Sequence, residues 1–482
     1  MEQIKEVAMA SKSLREKDKV TRLFEKIPHT YVLLFFIIVV AAVLTYLIPA
    51  GMFERVEQDG RMVIVPNTFT TVEPTPVGLF DVLKSFQLGM VGASGIVFFV
   101  FMIGGSVQIL RETKAIDALL VRTVLKAKGG RGEKYVMIII TVFFALLGGV
   151  MGLYEEALAF MPFAIMIALS LGYDPIVGLS LGLLGLAGGF AAAPMNPFTV
   201  GIAQSIAELP IYSGLWYRLI FFVIVIATTL WYTFRYAKKI KEDPSASLMT
   251  DVDYHDLGLN TEENIELTLS RKLILVAFVA AIIMLLVGVM KFGWYITEMG
   301  ALFFGLGIVS GILYRMKLNT MGELFVEGAK SLLYGALLIG IARGIMVVME
   351  NGQILDSVVY YLVQPLEYLP RVISASLMVI IQTFINFFIP SGSGQAMVTM
   401  PIMVPVSDIL GIPRQVAVLA FQYGDGLSNM FIPTLGATMA ALGMARVSYG
   451  KWISYAWKLL VIHLVIGLIA VAIATLIQLG PF

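Results

Sequence analysis

The chain has no cysteine and only three histidines, His29, His255 and His463, among its 482 residues. Without thiols there can be no disulfides, iron–sulfur clusters, thiolate metal sites or cysteine nucleophiles. Three histidines so far apart leave little for a histidine metal centre or a Ser-His triad. Charge is scarce as well. Only 14% of residues are Asp, Glu, Lys or Arg, where soluble proteins average about 25%. A net charge of +1 gives no case for nucleic acid or a polybasic lipid anchor. What the chain does have is apolar sequence: 58% of it is hydrophobic, which makes it a polytopic membrane protein with the lipid bilayer as its first partner.

Residues 1–29 lack a cleavable-signal pattern. Lys5, Lys12, Arg15, Lys17, Lys19, Arg22 and Lys26 mark this tail as cytoplasmic. An N-terminal half, 30–234, follows. A cytoplasmic linker, 235–272, joins it to a C-terminal half, 273–482. About 20 apolar residues cross a bilayer as a helix. On that measure the chain reads as nine full spans and two hairpins, with a polar outer loop at 51–78 carrying strand-like patches and an amphipathic helix at Ile116–Leu125.

The two halves share one register. A constant shift of 239 carries Gly105 to Gly344, Asp117 to Asp356 and Met161-Pro162 to Met400-Pro401. It also carries Gly172 to Gly411, Gly185 to Gly424, Pro194 to Pro433 and Thr199 to Thr438. Glycine and proline set backbone shape, so their recurrence copies architecture. The linker at 111–134 holds Arg111, Lys114, Arg122, Lys126, Lys128, Arg131 and Lys134, whereas its counterpart at 350–373 holds only Arg371. Basic loops stay inside, so the equivalent linkers lie on opposite faces and the repeat is inverted. Such a Gly/Pro-interrupted duplication points to a secondary transporter with its site at the repeat interface.

Each copy contains a candidate hairpin and a candidate broken helix. The pair 135–151 and 157–171 reads either as two spans or as a re-entrant hairpin. The glycine-rich, doubly acidic segment Gly148–Glu156 favours the hairpin, 135–171. Its mate is 373–410, with a tip at Pro390-Ser391-Gly392-Ser393-Gly394-Gln395. The span 176–206 should break at Gly188-Gly189 and at Pro194-Met195-Asn196-Pro197. Its mate, 414–445, contains Gly424-Asp425-Gly426 and Pro433-Thr434.

The candidate site residues cluster at these irregular points. Glu155 and Glu156 sit at the first tip, where an intramembrane acid signals a cation, a proton or a paired base. A solvated tip at the membrane surface would explain the same residues. Asp425, between two glycines, suits a cation or ammonium group if the backbone unwinds there, or a simple helix cap if not. Asn429 would share its face. Ser391, Ser393 and Gln395 could bind a carboxylate at a helix start, although Ser-Gly-Ser-Gly is also ordinary turn chemistry. Asn196, Thr199, Thr434 and Thr438 border the breaks and could equally satisfy freed backbone. Arg343, read as the one basic residue deep in a span, serves as charge partner to a core acid or holds a substrate carboxylate. More acids than bases favours a cationic solute, a proton or sodium.

Three runs carry a family resemblance: Ile27-Pro28-His29-Thr30, the Pro-Ser-Gly-Ser-Gly-Gln tip, and Phe421-Gln422-Tyr423-Gly424-Asp425-Gly426. They resemble the YfcC-like branch of the C4-dicarboxylate anaerobic carrier family, from about residue 25 to the C-terminus. The resemblance implies an all-α ion-transporter-superfamily fold and a homodimer whose transport domains move as elevators. It also implies either basic amino-acid exchange, as that branch is described, or dicarboxylate transport, as the family name says. Other superfamily branches carry Ser-Asn-Thr at both tips; this chain carries it at neither.

The resulting expectation is a multi-pass inner-membrane antiporter for a small solute such as arginine or ornithine. The alternative is a C4-dicarboxylate or other carboxylate transporter coupled to sodium or protons. No cofactor is called for beyond a coupling ion, either a proton or a sodium near Asp425 and Asn196. No enzyme is expected, since an intramembrane hydrolase built on Ser393 would lack a histidine at either tip. A channel is disfavoured because paired hairpins suit alternating access.

Overall fold

In a computed structural model the chain is described over residues 28–58, 61–118, 130–258, 265–292, 294 and 296–480. The N-terminal tail, apart from Pro28 and His29, and most of the expected helix at Ile116–Leu125 lie outside these residues. The described chain is mostly helical. Among the described residues, eight helices are long and apolar enough to cross a membrane.

The first half opens with α1 (Thr30–Leu47) and two small antiparallel sheets, pairing Gly51–Met52 with Thr70–Thr71 and Arg55–Gln58 with Arg61–Ile64. Helices α2 (Leu79–Gly92) and α3 (Ser94–Glu112) follow. Then come α4 (Arg131–Leu146), prolonged by a π turn at Leu147–Met151, and α5 (Glu156–Ser170), whose first turn is 3-10. Pro162 sits in the first turn of the α-helical part, where its missing N–H costs nothing. Next is α6 (Pro175–Ala191), then the short α7, a π turn at Pro197–Gly201 running into Ile202–Ile206, and the long α8 (Leu215–Glu242).

The second half contains α9 (Leu269–Phe292), α10 (Ile296–Leu313), α11 (Leu318–Ser331), α12 (Leu333–Asn351) and α13 (Leu355–Val363). It closes with α14 (Arg371–Phe388), α15 (Gly392–Ile409), α16 (Arg414–Ser428), α17 (Gly436–Met444) and α18 (Tyr449–Leu476). The shift of 239 reappears in these bounds: α2 maps onto α11, α3 onto α12, and Pro175 onto Arg414. Packing repeats the correspondence. Helix α12 lies on α2 and α1, while α3 lies on α11 and α10.

The two broken helices run in opposite directions. Asp174, which caps the start of α6, accepts from Ser247 (2.6 Å) and Tyr236 (2.8 Å). Arg446, just past the end of α17, pairs with Asp256 through two 2.7 Å bonds and with the Asp253 carbonyl. Residues 243–257 therefore receive the beginning of one broken helix and the end of the other. At the opposite face Arg414, which starts α16, bonds the Ala207 carbonyl (3.0 Å) and Glu208 (2.8 Å) beyond the end of α7.

Two expected breaks are not breaks. Helix α6 runs unbroken through Gly188-Gly189, and α16 runs unbroken through Gly424-Asp425-Gly426. Close packing explains why. A Cβ on Gly189 would stand 2.2 Å from the Ala145 carbonyl oxygen, and one on Gly424 would stand 2.3 Å from Gln382 Cβ. These glycines let helices touch backbone to backbone, as small residues do within membranes. The real interruptions follow, at 192–196 and 429–435.

Candidate functional site

Both hairpin tips meet both helix breaks. At the first tip the chain turns at Gly152, whose φ of +72° favours glycine. A Cβ there would lie 2.5 Å from Asn196 Oδ1, so this tip rests on the first break. Two residues on, the Tyr154 hydroxyl donates to the Asn429 carbonyl (3.2 Å) and lies 3.4 Å from Thr438 Oγ1, which ties the tip to the second break as well. The second tip starts α15, with Ser391 accepting from the Gly394 N–H as N-cap. A Cβ on Gly392 would stand 2.5 Å from Thr199 Cγ2 and 3.2 Å from Asp425 Oδ2. Between the tips lies a cavity of about 60 Å³, lined in part by Tyr154, Glu155, Glu156, Ser391, Ser393 and Asn429.

Carboxylate oxygens at this junction are left without partners. Asp425 is fully buried and neither of its carboxylate oxygens accepts a hydrogen bond. Glu156 is 3% exposed, with Oε2 likewise unengaged, and Glu155 is half-buried beside it. No lysine or arginine lines the cavity. An unpaired buried carboxylate costs several kcal/mol, a cost that a cation or a proton would lift. The Thr199 and Thr434 hydroxyls are also buried and without partners, leaving them free to serve a ligand.

Three expected ligands are committed elsewhere. Asn196 is the N-cap of α7: its Oδ1 accepts from Phe198 and Thr199 N–H, and its Nδ2 donates to the Gly148 carbonyl (3.2 Å). Gln395 is buried inside the second hairpin, where its Nε2 donates to the Gln382 carbonyl (2.9 Å) and Gln382 Oε1 (2.6 Å). It staples the two arms together. Arg343 is the clearest correction. It lies on α12 beside Gly92 and Met346 and does not line the cavity, so it is not the charge partner of these acids. Asn196→Ala is therefore expected to lower the thermal stability of the detergent-purified protein, by about 1–2 kcal/mol for a lost cap. Asn196→Ser, which keeps a neutral capping oxygen, should lose less; equal losses would argue against the capping role.

Sequence reading missed Asn386 and Gln382. Asn386 Nδ2 lies 2.7 Å from the Asp425 carbonyl, Ser428 Oγ and Asn429 Oδ1, so it holds α16 at its C-terminal end. Gln382 donates to Thr399 (2.9 Å) and takes the Gln395 bond. The signal was available: two amides four apart in the apolar run 371–388 share one helix face. Arg218 was also missed. It is 2% exposed and donates to the Ser213 carbonyl (2.6 Å) and Gln415 Oε1 (3.2 Å).

Eight apolar helices, two helical hairpins meeting two interrupted helices, and a small polar cavity between the hairpin tips define a multi-pass membrane transporter. A family model places it more closely: residues 27–476 match the C4-dicarboxylate anaerobic carrier family, and the chain belongs to that family. It is 33% identical over 474 residues to the Escherichia coli protein named "Putative basic amino acid antiporter YfcC", covering 90% of this chain and 93% of that one. A Haemophilus influenzae protein is 30% identical over 419 residues, covering 86% of this chain and 82% of its own length. Among solved structures, Neisseria gonorrhoeae MtrF aligns with a TM-score of 0.44 at 17% identity, covering 95% of this chain and 98% of its own.

Proposed function

We propose that this protein is a secondary antiporter of cationic amino acids, working by elevator-type alternating access. The observation that carries the reading is two buried acids with unengaged oxygens: Glu156, lining a cavity with no basic residue, and Asp425, packed beneath the Gly392 tip at its edge. An ammonium or guanidinium group would satisfy them. The start of α15, with Ser391 and Ser393, would take the solute carboxylate. The name of the Escherichia coli relative supports the same class of solute. In this account the hairpins α4–α5 and α14–α15 are re-entrant and move with the broken helices. The remaining helices form the scaffold of a homodimer in the inner membrane, with the N-terminus in the cytoplasm.

Thermal stabilisation of the detergent-purified protein tests the reading without assuming a mechanism, because a ligand bound only by the folded state raises stability. The panel is arginine, ornithine, lysine, neutral amino acids, succinate and fumarate. Arginine or ornithine should raise Tm, and Asp425→Asn should abolish the rise. The family description supports a second reading, a dicarboxylate carrier, with the α15 start as the anion site. A rise with succinate alone would favour that reading.

A further inference from the structure

An elevator carrier has a scaffold and a unit that moves against it, so a residue gripped by both must release one of them during transport. Asp256 is gripped by both. Arg446, just past the end of the broken helix α17, holds the Asp256 carboxylate through two 2.7 Å bonds and the Asp253 carbonyl through a third (3.1 Å). Arg111, in the last turn of the scaffold helix α3, donates to the Asp256 carbonyl (3.0 Å). The two grips are unequal. Two parallel bonds between guanidinium and carboxylate make a fixed, charge-assisted contact, whereas Arg111 makes one bond to a neutral oxygen. Movement would therefore part Arg111 from Asp256 and leave Arg446 attached. The next residue, Leu257, adds a second hold at the same place. It lines a crevice of about 70 Å³ together with Val107 and Gln108 of α3, Phe163 and Met166 of α5, and Met444 of α17. Scaffold, first hairpin and second broken helix thus meet around one side chain. Ring contacts extend the seam, with Phe160 against Phe303 of α10 (5.8 Å) and Phe163 against Phe278 of α9 (5.4 Å).

The opposite face has no counterpart to this fastening. The shift of 239 pairs Arg446 with Ala207 and Arg111 with Glu350. Ala207 has no polar side chain, and its carbonyl is taken by Arg414 (3.0 Å) at the start of the other broken helix. Packing is one-sided in the same sense. Among the described residues, the first turn of α5 packs on α3, while α15, its repeat mate, has no such packing on α12, the mate of α3. We infer that Asp256 and Leu257 form a one-sided latch, which docks the moving unit on the scaffold at the face of residues 243–257 and must release Arg111 in every transport cycle. The inference rests on the elevator reading for the movement that it restrains. It makes the two end states unequal, one fastened and one free, although the helices themselves are duplicated. A single exposed bond suits this work, because it is weak enough to open on every stroke.

The lack of cysteine makes the test direct, since thiols can be introduced without removing any. An arginine side chain spans more than a disulfide does, so each pair of thiols is bridged with a short bis-methanethiosulfonate reagent that reductant cleaves. In proteoliposomes of the full-length protein, bridged Arg111→Cys/Asp256→Cys should lose about tenfold or more in arginine exchange and regain it with reductant. Bridged Asp256→Cys/Arg446→Cys should stay within about twofold of its own reduced form. Any other pattern, with both blocked, both active or the reverse, overturns the latch while exchange itself stands. If the protein exchanges neither arginine, ornithine nor lysine, the cationic-solute reading falls. The latch is then read from spin-label distances between Glu112→Cys and Asp253→Cys, which need no solute. These should form one population in the otherwise unaltered chain and gain a second in Arg111→Ala; an unchanged distribution overturns the latch.

Discussion

Asp425→Asn is expected to cut solute exchange in proteoliposomes about 100-fold or more while leaving the protein at least as heat-stable as the wild type. The two halves of that result come from the same residue. Asp425 is fully buried on α16, with the Gly392 tip against one oxygen and no donor on either. A carboxylate there is unfavourable until a cation or proton arrives, and the amide removes that burden at almost unchanged volume. Losing one partner of a buried charged contact costs about 3–5 kcal/mol, and each 1.36 kcal/mol is tenfold. A flux within threefold of wild type would remove Asp425 from the site. A large drop in Tm would recast it as a structural cap.

The legible part of this protein was whatever the backbone must do in a bilayer. Apolar runs, basic tails and recurring Gly/Pro positions predicted helices and a repeat, because unsatisfied peptide groups leave the chain few options in lipid. The shift of 239 returns in the bounds of α2 and α11 and of α3 and α12. Side-chain allegiance was less legible. Asn196 and Gln395 read as ligands because both are polar residues at irregular backbone, and periodicity cannot tell a cap from a ligand. Only the distances to Phe198, Thr199 and Gln382 separate the two. Arg343 seemed the deep cation because of its position within a span. Arg218 drew no reading, and only the structure shows that the turn through Ser213 and the start of α16 cover it. Glycine was misread in a different way. In Gly424-Asp425-Gly426 it suggested unwinding, while the fold uses it for close approach inside a regular helix.

That second use of glycine sets the other large effect. Gly426→Ala is expected to lower Tm and abolish exchange, whereas Gly305→Ala, another helical glycine-to-alanine change, should raise Tm slightly and leave exchange intact. A Cβ on Gly426 would lie 2.3 Å from Ala191 Cα and 2.7 Å from Ala191 N, both backbone atoms with no rotamer to yield. One methyl would therefore force α6 and α16 apart at the last turn before their breaks, where the acids and the tips converge. Overpacking of this kind costs about 1–3 kcal/mol, and valine should cost more. Around Gly305 on α10 nothing lies within 4 Å, so alanine there adds only helix propensity and a stiffer unfolded chain, worth about 0.4–1 kcal/mol. The comparison separates packing from propensity in paired thermal-unfolding and exchange measurements. If Gly426→Ala behaves like Gly305→Ala, the two broken helices are not the rigid pair that this packing describes. If it fails while Gly305→Ala gains, the backbone contact between α6 and α16 is what holds the cavity in shape, and the acids depend on it for their position.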